Sequence, residues 1–309
     1  MPSPSSSLRR ARPLLGTLAE ISVEGDAARL SGAVDRAFAA IDRVHQLMSF
    51  HVGTSDVSRM NREAYRHPVK IDPQTWEVLA RARTVSEASD GAFDITVAPR
   101  LVEWGYLPEI PLPLPASRPN GYRVIELLAD HHVRFQEPTF IDLGGIAKGY
   151  AVDAACVALE QCGVYNYVVN AGGDLRAGGA AITVHVRHPR RPTATLILGV
   201  IQNAAVATSG SYFARKRRDD MSVHPIIAPD AAAPARYKGS ISVVARDCMN
   251  ADALTKVVAV LGNKANPVLN RFGAEAVLLS ETAKWRRLRG ESHRSDTDVE
   301  RGAGVAAAM

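Results

Sequence analysis

The thirteen residues from Ile141 to Asp153, IDLGGIAKGYAVD, constrain the fold more than any other stretch. A short β-run over residues 139–141 ends on the carboxylate of Asp142. Gly144 and Gly145 follow, and an alanine-rich helix begins after them. Glycines let a backbone approach a ligand closely, and the free N–H groups of a helix start favour anions. Lys148 falls in the first turns of that helix, against the macrodipole preference. A carboxylate, a lysine and a Gly-Gly turn this close together point to a phosphate site and leave room for a metal. The plain alternative is a solvated strand-to-helix turn. The spacing is neither that of a P-loop nor that of a dinucleotide fingerprint.

The rest of the chain narrows the choice. Its 309 residues suffice for a large core in one or two domains. The formal charge of +5 suits anionic ligands. Its arginine runs at residues 9–12, 215–218 and 286–289 are not interleaved with aromatics, which argues against nucleic acid as partner. Cys156, Cys162 and Cys248 are odd in number and lack metal-like spacing, so buried thiols are expected. No run approaches transmembrane length, and residues 1–12 contain no apolar h-region. As written, the chain reads as cytoplasmic.

In order, residues 1–13 are Ser/Pro-rich and expected to be disordered, and residues 14–23 alternate like a strand. Leu30, Val34, Phe38, Ile41, Val44 and Met48 recur at helical spacing over residues 27–48. A polar loop at 54–61 leads into a short helical turn. Asp72-Pro73 is an N-cap followed by an N1 proline, opening a helix that stops near Asp90-Gly91. Residues 91–99 read as a loop followed by an extended segment, and residues 108–119 as a proline-rich surface loop. The helix after Gly145 runs to about Cys162, with Gly163 as its C′ residue. Strands are expected at 165–170, 182–187, 195–201, 205–210, 240–245 and 274–279, with a glycine-rich loop at 171–179 and a helix at 250–261. Residues 286–309 are expected to be disordered. Strands in antiparallel-looking runs between long helices make the class α+β, with one domain over residues 14–285.

Several of these stretches, in this order, resemble the ApbE family of FAD:protein FMN transferases. They are Leu15-Gly16-Thr17, Met48-Ser49, Asp90-Gly91-Ala92-Phe93-Asp94 with Thr96-Val97, Trp104-Gly105 and the stretch from Ile141 to Asp153. Asn170-Ala171-Gly172-Gly173-Asp174, Ala207-Thr208-Ser209-Gly210, His224 and Ala251-Asp252-Ala253-Leu254 complete the set. The resemblance implies a T-fold-like α+β body of antiparallel sheets packed with helices. It also implies FAD as donor, Mg²⁺, and transfer of FMN to a Thr or Ser hydroxyl of an acceptor flavoprotein with release of AMP. By family position, FAD contacts fall on Met48, Ala92, Phe93, Asp94, Asp142, Lys148 and Ile226. The metal falls to the Gly145 carbonyl and Asp252, with Thr255 the nearest hydroxyl to the third ligand position, and catalysis to His224 and Asp252, with His224 as base.

The chain departs from that pattern in four places. Leu15 replaces a methionine, and Phe50-His51 stand where Thr and Tyr are usual. His224-Pro225-Ile226-Ile227-Ala228-Pro229 carries an extra proline and lacks an aspartate. The family's threonine metal ligand, four residues after the aspartate, is Lys256 here. Thr255, on the same helix face as Asp252, is one substitute ligand; the other possibility is that the Lys256 ammonium pairs with Asp252 and occupies the metal's place. The alternative function is a family member with impaired catalysis that binds FAD or a partner.

Overall fold

A computed structural model describes residues 5–112, 115, 121–210, 214–218, 221–230 and 233–288. Eight strands form one antiparallel sheet whose spatial order follows the chain. They are β1 (Ser5–Leu14), β2 (Thr17–Asp26), β3 (Asn166–Ala171), β4 (Asp174–Gly178), β5 (Ala204–Gly210), β6 (Gly239–Ala245), β7 (Glu275–Ser280) and β8 (Trp285–Leu288). The helices are α1 (Ala27–Met48), α2 (Asp56–Glu63), α3 (Pro73–Ala88), α4 (Ala98–Glu103), α5 (Ala147–Gln161), α6 (Cys248–Leu261) and α7 (Asn266–Arg271). The fold is therefore α+β, an antiparallel sheet packed with helices.

Strand alternation decides which face meets the helices. Ala19, Ile21, Val169, Ala171, Ala205, Ala207, Ile241, Val243, Ala276 and Leu278 share one face and one core with the helices. In α1 the periodic residues Leu30, Val34, Phe38, Ile41, Val44 and Met48 are all buried, as their spacing requires. On the opposite face, Leu279 packs with Val186 and Leu196 of the antiparallel hairpin 182–201. Helix α3 begins as the sequence dictates, with the Asp72 side chain accepting from Gln74 N–H and Pro73 in the first turn.

Five local expectations are corrected. The opening residues are not disordered from Ser5 onward, because β1 pairs with β2 along its whole length. Leu15 and Gly16 both take left-handed dihedrals (φ 55 and 69°) to make the two-residue turn. An edge strand needs a backbone partner more than buried side chains, and its arginines sit on Glu20 and Asp35. Residues 95–103 are helical rather than extended: Asp94 accepts from Thr96 N–H at 2.9 Å and Pro99 fits the first turn of α4. Residues 139–141 form no strand. Asn61 takes the place of a neighbouring strand, accepting from Ile141 N–H at 2.8 Å and donating to Ile141 O at 3.0 Å. The expected loop at 171–179 contains β4. At the other end, β8 carries the fold to Leu288, beyond the expected boundary at 285; residues 289–309, and most of the proline-rich stretch after Leu112, lie outside the described residues.

The feature that positions the site is a close crossing of α5 and α6. A Cβ on Gly149 would lie 2.2 Å from the carbonyl oxygen of Cys248 and 2.8 Å from the Cα of Met249, so only glycine permits the approach. The crossing brings two helix starts together, and each receives a carboxylate from the other helix. Asp153 of α5 accepts from Cys248 N–H at 3.0 Å and Met249 N–H at 2.8 Å, while Asp252 of α6 accepts from Gly149 N–H at 3.2 Å.

Candidate active site

Asp252 lies in the second turn of α6, whose cap is Asp247 and which starts two residues before the expected helix at 250–261. Its side chain is fully buried. Lys256 Nζ donates to Asp252 Oδ1 and, at 3.1 Å, to Asp252 O. Lys148 Nζ donates to Asp174 Oδ2 and lies 4.0 Å from Asp252 Oδ2. Two carboxylates and two ammoniums thus alternate along the floor of the site. Buried charges persist only when paired in this way.

The pairing sets the proton affinities. Burial pushes the Asp174 carboxyl up, and the neighbouring Asp252 charge adds to it, leaving it at about 6 despite the two ammoniums. Burial works the same way on Asp252, but Lys148 and Lys256 outweigh it and hold that carboxyl below the usual range. Burial alone would lower Lys148; Asp174 and Asp252 reverse the sign and keep the ammonium charged. Asp142 is raised by burial, against the Gly144 N–H that its Oδ2 accepts at 3.1 Å.

Two adjoining cavities open above this floor, of about 480 and about 600 Å³. They share the walls Leu15, Gly16, Leu107, Asp142, Gly144 and Lys148, and so form one cleft of two lobes with Asp142 and Lys148 at its waist. Met48 lines the first lobe with Phe50 and His51; Ala92, Phe93, Asp94, Gly145, Ile226 and Lys256 line the second. All seven side chains singled out for FAD therefore face this one cleft. Asp94 is already engaged. Its carboxylate accepts from Thr96 N–H, from the Thr96 hydroxyl at 2.7 Å and from Tyr122 N–H at 3.2 Å, which makes it a brace of the wall.

His224 is buried and does not line either lobe. Its Nδ1 accepts from Ile226 N–H at 3.3 Å and its Nε2 faces Ala235 O at 3.0 Å, which fixes the neutral Nε2–H tautomer. Burial lowers its pKa, with the Ala235 carbonyl opposing.

The expected metal ligands do not form a free set of donors. Asp252 has Oδ1 on Lys256 and Oδ2 on Gly149 N–H. Thr255 stands behind the wall: its hydroxyl donates to Asp252 O at 2.7 Å and meets Ser209 Oγ at 2.8 Å. The Lys256 side chain runs past Gly145, its Cε 3.6 Å from where a Cβ of that residue would be. Among the described residues no three His, Cys, Asp or Glu side chains converge as metal ligands.

Sequence reasoning assigned no role to Asp174 or Ser209, although both belong to motifs it quoted. The signal for Asp174 was present: Gly172-Gly173-Asp174 is a second Gly-Gly turn beside a carboxylate.

A lysine at the waist of a two-lobed cleft, over a floor of alternating carboxylates and ammoniums, set in an antiparallel α+β body, defines the class of the protein. The family model for ApbE matches residues 15–278, and the chain belongs to the ApbE family. The FAD:protein FMN transferase of Vibrio cholerae is 27% identical over 284 residues, 84% of this chain and 83% of that protein. The crystal structure of the ApbE protein from Thermotoga maritima superposes with a TM-score of 0.79 at 27% identity, covering 93% of this chain and 98% of that one. The flavin transferase ApbE from Vibrio cholerae gives 0.74 at 25%, over 94% and 98%.

Proposed function

We propose that this protein is an FAD:protein FMN transferase, moving FMN from FAD to a Thr or Ser hydroxyl of an acceptor flavoprotein and releasing AMP. The observation that carries the reading is the shape and charge of the cleft. A dinucleotide has a ring system at each end and a pyrophosphate between, and the cleft has two lobes joined where Lys148 stands. Lysine binds phosphate as a point charge, and the oxygens would gain charge-assisted hydrogen bonds at the waist. The names of the relatives in Vibrio cholerae support the same reaction.

In the transfer, the acceptor hydroxyl oxygen bonds to the flavin-side phosphorus and the bond from that phosphorus to the bridging oxygen breaks. AMP leaves with that oxygen and its electron pair, and the hydroxyl proton passes to a base. His224 is the proposed base. It is neutral, and Nδ1 can take a proton once it exchanges the Ile226 N–H for the acceptor hydroxyl. The residues that the resemblance assigns to Mg²⁺ do not fit an ion as they stand, because Lys256 holds the Asp252 oxygen and Thr255 is turned to Ser209. No step of the transfer is assigned to a metal.

Incubation with FAD and an acceptor carrying the target hydroxyl tests the reading. The expected result is a covalently fluorescent acceptor in a denaturing gel, with one AMP released per flavin attached. FAD that binds but is never cleaved, with several acceptors supplied, would refute it.

A further inference from the structure

Lys256 is a cationic residue of this cleft that the transfer step does not use. Its ammonium is held over Asp252 by two contacts, to the carboxylate and to the Asp252 carbonyl, and its side chain lines the second lobe. An ammonium has three protons. Two are spent on Asp252, and the third has no acceptor among the described residues. The side chain is 18% exposed, enough for a ligand oxygen to reach it from the lobe.

We propose that Lys256 is the built-in cation of this site, standing between Gly145 and Asp252 where a divalent ion would have to sit and offering its third N–H to a pyrophosphate oxygen of the flavin dinucleotide. The proposal rests on the FMN-transfer reading. The charges support it. Asp174 is paired with Lys148 and Asp252 with Lys256, so each of these buried carboxylates has its cation without any ion. A divalent cation entering between Gly145 and Asp252 would meet an ammonium on the oxygen it needs, with repulsion in a partly buried site. Displacing Lys256 would also require moving methylenes packed close to Gly145. Thr255 cannot compensate while its hydroxyl serves Asp252 O and Ser209. A tethered lysine can neutralise phosphate charge without giving up its place on Asp252, because its protons point in different directions.

The experiment uses the full chain after treatment with EDTA. Mg²⁺ is titrated calorimetrically without flavin, with Mn²⁺ followed by electron paramagnetic resonance as a second probe; FAD binding is then measured in EDTA and in millimolar Mg²⁺. The wild type should bind neither ion stoichiometrically, and its FAD affinity should differ between the two buffers by less than about twofold, since no coupling exists between the ligands. Lys256→Thr should lose roughly tenfold or more in FAD affinity in EDTA, the loss of one charge-assisted bond, and should recover it on addition of Mg²⁺. Lys256→Arg keeps the charge and should keep FAD binding insensitive to the ion, which preserves the test if the threonine variant fails to fold. One equivalent of Mg²⁺ bound by the wild type, or wild-type FAD affinity that collapses in EDTA, would overturn the proposal while leaving the transferase reading intact. Failure to bind FAD in either buffer would sink both.

Discussion

Asp153 and Asp252 stand on opposite sides of one helix crossing and began from the same problem, a carboxylate buried beside a helix start. Their solutions differ. Asp153 is satisfied by two backbone N–H groups and by the guanidinium of Arg176 at 2.9 Å. Asp252 receives one N–H and is otherwise held by lysines. A guanidinium nitrogen bonded to a buried carboxylate is a structural tie, while an ammonium keeps protons for a newcomer. The proton affinities follow: burial leaves Asp153 raised even with Arg176 beside it, whereas the two lysines hold Asp252 low. The front of the crossing opens onto the two-lobed cleft, and the rear carries the Arg176 tie.

Substitutions should separate the two sides. The largest effect is expected at His224, buried behind Pro225 and Ile226 of the second lobe, where His224→Ala should slow FMN transfer by roughly 10²–10⁴-fold if the imidazole is the base, with FAD affinity spared. Equal losses in binding and turnover would make it a structural residue alone. Next comes Lys148→Met, which removes the cation at the waist and should weaken FAD binding by about 10–100-fold, read by calorimetry. Arg176→Met, at the rear, should leave FAD affinity unchanged and reduce unfolding free energy by about 1–3 kcal/mol in urea. If it weakened FAD binding as much as Lys148→Met does, the front-and-rear distinction would be gone.

The smallest effect concerns pH. The Asp174 carboxyl is raised in the folded state to about 6, so the folded chain holds that proton more tightly than the unfolded chain does. Its contribution is fully present below the unfolded value near 4 and is lost as pH rises through about 6. Urea midpoints of wild type relative to Asp174→Asn should therefore decline between those limits and run parallel above them. Asp252, whose carboxyl is lowered, has the opposite sign, and its contribution is lost as pH falls below the usual carboxylate range. A wild-type advantage that grows from pH 4 to 6 would contradict the assignment.

Local signals read well from the sequence. The apolar stripe of α1, the Asp72-Pro73 start of α3 and the Gly-Gly turn before Lys148 each depend on neighbours within a few residues. The cleft was legible through its motifs: Met48, Ala92, Phe93, Asp142, Lys148 and Ile226 do line it. What stayed hidden depends on partners far along the chain. Residues 139–141 look like a strand until Asn61 supplies their hydrogen bonds. Asp153 and Cys248 meet only because two helices cross. Thr255 and Lys256 both follow Asp252 at helical-face spacing, and packing of Thr255 against Ser209 of β5 settles which of them turns to the cleft. The charged opening strand misled for another reason: its order comes from β2, and its own composition says nothing of that.

Gly149 has a consequence for what variation this chain can accept. Backbone atoms of the other helix fill the space at 2.2 and 2.8 Å, so no rotamer change relieves a side chain there. Even alanine would force the two helices apart, breaking the Asp153 bonds at the rear and the Asp252 bond at the front together. Gly145, a turn away, meets only side-chain atoms at 3.4 and 3.6 Å and has ordinary room. Two glycines of one motif thus face opposite fates: at position 145 an added methyl meets ordinary contacts, whereas a lineage that loses Gly149 loses its scaffold and its ligand site in one step.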